Sequence, residues 1–346
     1  MLKIIRARSS SRAFAINQPR LLYGINNEFH YNSPIKNNHN IYSQRHYSFQ
    51  NSIQSYAGTQ SGIFKILSES TPVEYCQKFL LQVHDLTGLS WWANIIVSTI
   101  IVRSVVTLPV AVYQQIIVAR LENIKLEMPE IANELKREVA IAVKLYNWDE
   151  TTARNNYKRS IRKQFDNLIV RDNCHPLKTT VLLWIQIPLW ISFSVSLRNL
   201  VYMLPVSDTA AQLTFTELSL GGFSVIPNLT IPDASWIFPI TLGLINLALI
   251  ETQILARHPS LPTSKIQNVL TNVFRGFNIL MVPIAASVPS CLALYWTASS
   301  AYGLAQNLVL MSPKVRRLFR IPETTIEVKE PYQLIINKLK SKLKLT

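Results

Sequence analysis

Apolar residues gather along this chain in long runs, separated by polar stretches whose charges recur at helical offsets. A helix that crosses a bilayer needs about 20 predominantly apolar residues. Five segments approach that length: 91–113, 177–204, 236–255, 273–288 and 290–311. The second has a long apolar centre from Val181 to Leu197, and the last two form a close pair with Pro283 and Pro289 near their junction. At about 1.5 Å per residue the fourth segment reaches only roughly 24 Å, short of the ~30 Å hydrocarbon core. The terminal pair is therefore expected to thin the bilayer locally or to tilt. Ahead of the first span, Thr71 can cap a helix and Pro72 suits its first position. Val73, Cys76, Phe79, Leu80 and Val83 then recur at helical spacing. This helix is too polar to span and suits an interfacial position. It leads into Trp91 and Trp92, an aromatic pair of the kind that anchors at head-group depth.

The segment 114–176 has its own pattern. Glu127, Glu130, Glu134 and Glu138 alternate with basic residues, and Arg154, Lys158, Arg162 and Lys163 follow beyond the turn residues Asn147, Trp148 and Asp149. That is the pattern of an antiparallel helical hairpin with a charged surface. Charge asymmetry then sets orientation. The hairpin, the loop 256–272 (Arg257, Lys265) and the tail 312–346 are rich in Lys and Arg. The loop 205–235 has neither, only Asp208, Glu217 and Asp233. An odd number of spans puts every basic segment on one side. The fold expected is all-α and integral to the membrane, with five transmembrane helices enclosing a hydrophilic groove and a helical hairpin between the first two spans.

Composition sharpens this picture. Charged residues make up 16% of the 346, against roughly 25% in a typical soluble protein. The formal net charge of +15 suits an anionic neighbour, and the candidates are anionic membrane lipids, RNA and acidic protein segments. Residues 1–47 carry Lys3, Arg6, Arg8, Arg12, Arg20, Lys36 and Arg45 against the single acid Glu28, among many Ser and Asn. An Arg-rich, Ser-rich, acid-poor start is the signature of a mitochondrial transit peptide. Arg45-His46-Tyr47-Ser48 resembles a matrix-peptidase cleavage site and puts the mature start near Ser48. The segment 48–90 and the mature N-terminus then face the intermembrane space of the inner membrane, and the C-terminus faces the matrix. Cys76, Cys174 and Cys291 match no metal or disulfide spacing.

Arg103 needs its own account, because it lies mid-way along the apolar run that starts at Trp91. A lone arginine at that depth costs about 2.5–3.5 kcal/mol on insertion scales, and snorkelling from mid-span is difficult. It must face protein or water. The spans offer almost no acid to pair with it except Glu251, so a hydrated pocket is the expectation. Gln186, Gln306, Asn307, Ser299 and Ser300 are the polar residues that could line such a pocket, although each alone suits an interhelical hydrogen bond.

These residues resemble the YidC/Oxa/Alb insertases. The resemblance rests on Gly88-Leu89-Ser90-Trp91-Trp92 with Thr99, Arg103 and Leu108-Pro109. It continues in Gln186-Ile187-Pro188-Leu189-Trp190 with Leu197-Arg198, and in Gly221-Gly222-Phe223 with Leu229, Pro232-Asp233 and Phe238-Pro239. It ends in Pro289-Ser290-Cys291-Leu292-Ala293-Leu294-Tyr295-Trp296 with Gln306. Cys291 stands where the family has glycine, and Ser300 where it has asparagine. The resemblance covers about residues 72–312. It implies a groove open to the matrix and to lipid, with Arg103, Gln186, Gln306 and Ser300 in contact with the client, and no catalytic residue, metal or cofactor. The short basic tail is more similar to the branch that assembles cytochrome c oxidase. That branch implies oxidase subunit 2 as client, with assembly helper proteins, a weak ribosome contact through the tail, and no specific nucleic-acid sequence as a partner.

Rival readings are a general inner-membrane insertase for mitochondrially encoded proteins and a small-solute transporter or channel. The transporter would show internal repeats and discontinuous helices, and no repeat is visible. An intramembrane hydrolase needs a Ser–His or paired-Asp set within the spans. His84, His175 and His258 are too scattered for a metal site.

Overall fold

The computed structural model describes residues 63–256, 265–324 and 327–342. The transit-peptide and cleavage-site expectations, the segment 48–62, Arg257, His258 and Lys344 lie outside the described residues. Within them the chain is helical, and backbone bridges are limited to the isolated pairs Phe223–Ile226 and Pro232–Pro289.

A short helix α1 (Ile63–Ser68) leads into α2 (Thr71–Thr87). Pro72 sits in the first turn of α2, and Gly88 ends it with φ +61°, a left-handed position where glycine carries no Cβ penalty. α2 buries Val73, Leu80 and Val83 against the bundle and leaves Tyr75 and Leu86 exposed. α3 (Trp91–Val102) passes through a π-helical turn, Arg103–Thr107, into α4 (Leu108–Tyr146). The helix thus runs on far past 113. α5 (Glu150–Asp172) returns along α4. Ile117 and Ile124 bury together with Ile169 and Cys174, so the two helices run antiparallel. Asp149 caps α5 by accepting from the Thr151 amide at 3.3 Å, and these bonds from Thr151 hold its carboxyl below the usual range.

A 3-10 turn, Pro176–Thr180, opens α6 (Val181–Tyr202). The loop 205–235 contains a helix, α7 (Thr209–Leu220), capped by Asp208. Then come α8 (Ile237–Leu255), α9 (Lys265–Ser287) and α10 (Ser290–Met311). α9 starts earlier than the apolar run, because the polar stretch before Val273 is already helical. Among the described residues, four helical stretches are long and apolar enough to cross a membrane: Trp91–Tyr146, Pro176–Tyr202, Ile237–Leu255 and Asn268–Ser287. α10 has 22 residues but is more polar, with Thr297, Ser299, Ser300, Gln306 and Asn307 in its sequence.

The main core gathers at one end of these helices. It contains Leu80, Trp91, Ile95, Leu197, Val201, Leu218, Leu229, Leu242 and Cys291, all at most 2% exposed. Chain direction explains why. α3, α8 and α10 start at this end, while α6 and α9 finish there, so α2, α7 and the loop 221–236 can close over it. The closure is made by hydrogen bonds. Asn94 Nδ2 donates to the Leu80 carbonyl at 3.1 Å, Ser196 Oγ to the Val73 carbonyl at 2.8 Å, and Asn199 Nδ2 to the Ser68 carbonyl at 3.0 Å. Trp91 stacks on His84 with ring centroids 4.4 Å apart and donates its indole N–H to Glu217 at 3.1 Å. The amides of Ser290 and Cys291, which lack helical partners at the start of α10, donate to the carbonyls of Ile231 and Leu229 at 2.8 and 3.0 Å. Gly222 allows this loop to close, since a Cβ there would lie 2.1 Å from the Ile226 carbonyl oxygen.

At the opposite end the tail folds back on the bundle. After α11 (Pro313–Leu318), Arg316 Nε lies 3.1 Å from Glu327 Oε1, with both side chains 14% exposed, and Arg317 pairs with Glu323 and Glu327. Asn123 of α4 donates to the Glu323 carbonyl at 3.1 Å. Burial in this cluster pushes the Glu122 carboxyl up, against the opposing pull of Arg316 and Lys125. α12 (Pro331–Lys342) is tied down by Tyr332, which donates to the Leu308 carbonyl at 2.9 Å, and by Lys338, which donates to the Leu255 carbonyl at 3.0 Å.

Candidate functional site

The apolar run of α3 is interrupted by its own chemistry. Pro109 has no N–H, and its ring crowds the carbonyl four residues back. The helix widens just before it: the Leu108 amide donates to the Arg103 carbonyl, five residues back. Thr107 Oγ1 donates to the same carbonyl at 2.8 Å. Single π turns of this kind recur at functional sites, and here the turn begins at the one ionisable residue of the run.

The Arg103 side chain reaches α10. Its Nε donates to Ser299 Oγ at 3.1 Å, and Nη2 donates to the same oxygen. One residue on, Ser104 Oγ and Tyr302 OH share a hydrogen bond at 2.9 Å. The π turn is thus pinned to α10 by two adjacent rungs. Among the described residues no carboxylate lies within ion-pair distance of Arg103. Glu251, the acid that the sequence puts within a span, pairs with Arg275.

Arg103 lines a small, partly open cavity between α3, α6 and α10. Thr99, Thr107, Gln186 and Tyr295 give it further polar groups, and Val102, Leu189, Trp190 and Phe193 give it apolar wall. Trp190 packs on Trp296 at 5.4 Å and Phe193 on Tyr295 at 5.5 Å, while Trp296 Nε1 donates to Ser194 Oγ at 2.9 Å. These contacts make the wall where the cavity meets the sealed end. Outside the lining, on the same stretches of chain, Val105, Leu183 and Trp184 are 69%, 53% and 75% exposed. The arrangement sets a guanidinium and neutral hydrogen-bonding groups between apolar walls. Among the described residues no set of His, Cys, Asp or Glu could hold a metal.

The structure brings Arg103 and Gln186 to the same cavity. Ser300 and Gln306 lie further along α10, outside its lining, and the Gln306 amide oxygen is buried with no hydrogen-bond partner. The serine bonded to Arg103 is Ser299, which is 2% exposed. Tyr295 and Tyr302 also face this region of α10. Their spacing was a usable signal: Tyr295, Ser299 and Tyr302 stand at i, i+4 and i+7, one stripe of a helix.

A family model described as 60Kd inner membrane protein matches residues 82–317. The chain belongs to this family, that of the YidC/Oxa/Alb insertases. The match runs from α2 into α11, so it takes in every element of the cavity and stops short of α12. Among individual relatives, the chain is 42% identical to the cytochrome c oxidase assembly protein COX18, mitochondrial, of Mus musculus over 277 residues, covering 80% of this chain and 82% of the relative. The protein of the same name from Homo sapiens is 42% identical over 273 residues, 79% of this chain and 80% of the relative. The mitochondrial inner membrane protein OXA1 of Arabidopsis thaliana is 27% identical over 252 residues, 73% of this chain and 52% of the relative.

Proposed function

We propose that this insertase works in the mitochondrial inner membrane during cytochrome c oxidase assembly, where it carries the polar C-terminal tail of oxidase subunit 2 across and releases that subunit's transmembrane segment into lipid. The observation that supports the reading most is a guanidinium half-way along an apolar helix, bonded to a neutral hydroxyl and open to a cavity. Identity to COX18 over most of both chains supports the oxidase branch.

The physical logic is short. A polar tail crossing lipid loses hydration that lipid cannot replace. A cavity with Arg103, Gln186, Thr99 and Thr107 replaces part of that hydration. Its opening lies on the side of the basic hairpin and tail, which orientation by charge puts in the matrix. The sealed end then faces the intermembrane space, α10 serves as a fifth span, and anionic lipids meet the basic side. An acidic tail entering from the matrix is drawn to Arg103. The membrane potential favours its outward movement by about 2.3 kcal/mol per charge per 100 mV. Gln306 and Ser300 provide polar groups along α10 on the way in. The client's apolar helix leaves sideways, where the cavity opens to lipid.

The test is the topology of subunit 2 in mitochondria that lack the protein, read by protease protection of its C-terminal tail. A tail that stays in the matrix without the protein and is exported after wild-type rescue is the expected result. Normal subunit 2 export, with other inner-membrane proteins failing to insert, favours the general insertase, a reading that the likeness to OXA1 supports. Normal topology of every client contradicts both.

A further inference from the structure

Two of the five N–H groups of Arg103 end on one oxygen, Ser299 Oγ. The other three have no protein acceptor among the described residues, and the side chain lines the cavity. We propose that Ser299 is the positioning residue of the groove charge: its hydroxyl holds one edge of the Arg103 guanidinium against α10 and so presents the remaining edge to a carboxylate of the crossing segment. The inference rests on the insertase reading above and names the group that aims its charge.

The choice of a hydroxyl matters. A carboxylate at 299 would hold the guanidinium more tightly but would also neutralise it, leaving no charge for a client. An apolar side chain would leave the guanidinium free to turn away. A serine accepts hydrogen bonds at no cost in net charge. Its burial at 2% exposure keeps water from competing for the same oxygen, and the neighbouring Ser104–Tyr302 bond fixes the π turn from which Arg103 projects. In a regular helix, successive residues point about 100° apart. The wider π turn lets Arg103 and Ser104 both reach α10, at positions 299 and 302. The three groups thus act on Arg103 in sequence: the turn directs the side chain, the Ser104–Tyr302 bond fixes the turn, and Ser299 fixes the guanidinium.

The experiment compares Ser299→Ala, Ser299→Thr and Arg103→Ala in mitochondria that lack the wild-type protein, each at wild-type abundance. The readouts are export of subunit 2 with its own tail and with a tail whose Asp and Glu are changed to Asn and Gln. Ser299→Ala is expected to lower export of the acidic tail by roughly fivefold, Ser299→Thr to restore most of it because the hydroxyl is kept, and the neutral tail to be insensitive to both. A structural role for Ser299 would lower both tails equally, and that outcome overturns the proposal. Full export with Ser299→Ala while Arg103→Ala blocks it overturns the positioning role alone. Full export with Arg103→Ala overturns the insertase reading and this inference with it.

Discussion

The two ends of the bundle are built from the same five helices and filled in opposite ways. From Ser290 to Thr297, α10 is buried throughout; from Ala301 to Val309 it is half-buried or exposed. α6 shows the reverse order, open from Val181 to Ile191 and buried through most of its length from Ser192 to Val201, because it runs the other way. One end is packed, hydrogen-bonded across elements and closed by α2 and α7. The other holds the cavity and the half-buried guanidinium of Arg103. A bundle that only had to be stable would be packed at both ends. Under the proposed function, the difference separates the part that holds the fold together from the part available to a client.

This contrast can be broken at several points, and the largest effects belong to the sealed end. Gly222→Ala puts a Cβ into the Ile226 carbonyl, and Trp91→Ala removes a side chain 1% exposed together with its stack on His84 and its bond to Glu217. Truncating a buried aromatic costs about 3–5 kcal/mol. Both variants are expected to fall several-fold in steady-state abundance, measured by immunoblot, with export per remaining molecule unchanged. At the open half the pattern inverts. Gln186→Ala is expected to leave abundance intact and to lower export about two- to fivefold, since it removes one polar partner from the cavity. Wild-type export in that variant would exclude Gln186 from client contact.

Smaller effects test the periphery. Glu327→Gln removes the carboxylate between Arg316 and Arg317. The tail is then expected to become more sensitive to protease, with a modest loss of export. The smallest effect lies at the hairpin. The Asp149 carboxyl is held below its ordinary value by its bonds to Thr151, so its contribution is present at neutral pH and is lost as pH falls through that lowered value. Hydrogen-exchange protection at the first turn of α5, taken relative to the intrinsic exchange rate at each pH, is expected to fall in that acidic range and to show no such step in Asp149→Asn.

Much of this arrangement was legible in the sequence because lipid imposes length and hydropathy so strictly. The apolar runs, the hairpin turn at Asn147–Asp149 and the exceptional status of Arg103 all follow from one-dimensional pattern. Four features did not. The π turn needs the consequence of Pro109 to be followed back to Arg103. The partner of Arg103 depends on the rotation of α10, which puts Ser299 rather than Ser300 opposite it. The docking of the tail depends on pairs such as Arg316–Glu327 and Asn123–Glu323, and these do not stand out from other surface charges along the chain. α7 is short and weakly patterned and reads as loop until its Asp208 cap is recognised.

The contrast between the two ends is tested most directly by photocrosslinking during synthesis of subunit 2. A photoreactive residue is placed in turn at Gln186, in the cavity, and at Leu292, in the sealed core. The account predicts adducts with subunit 2 from position 186 and none from position 292. Equal capture from both positions, or capture from 292 alone, would contradict it.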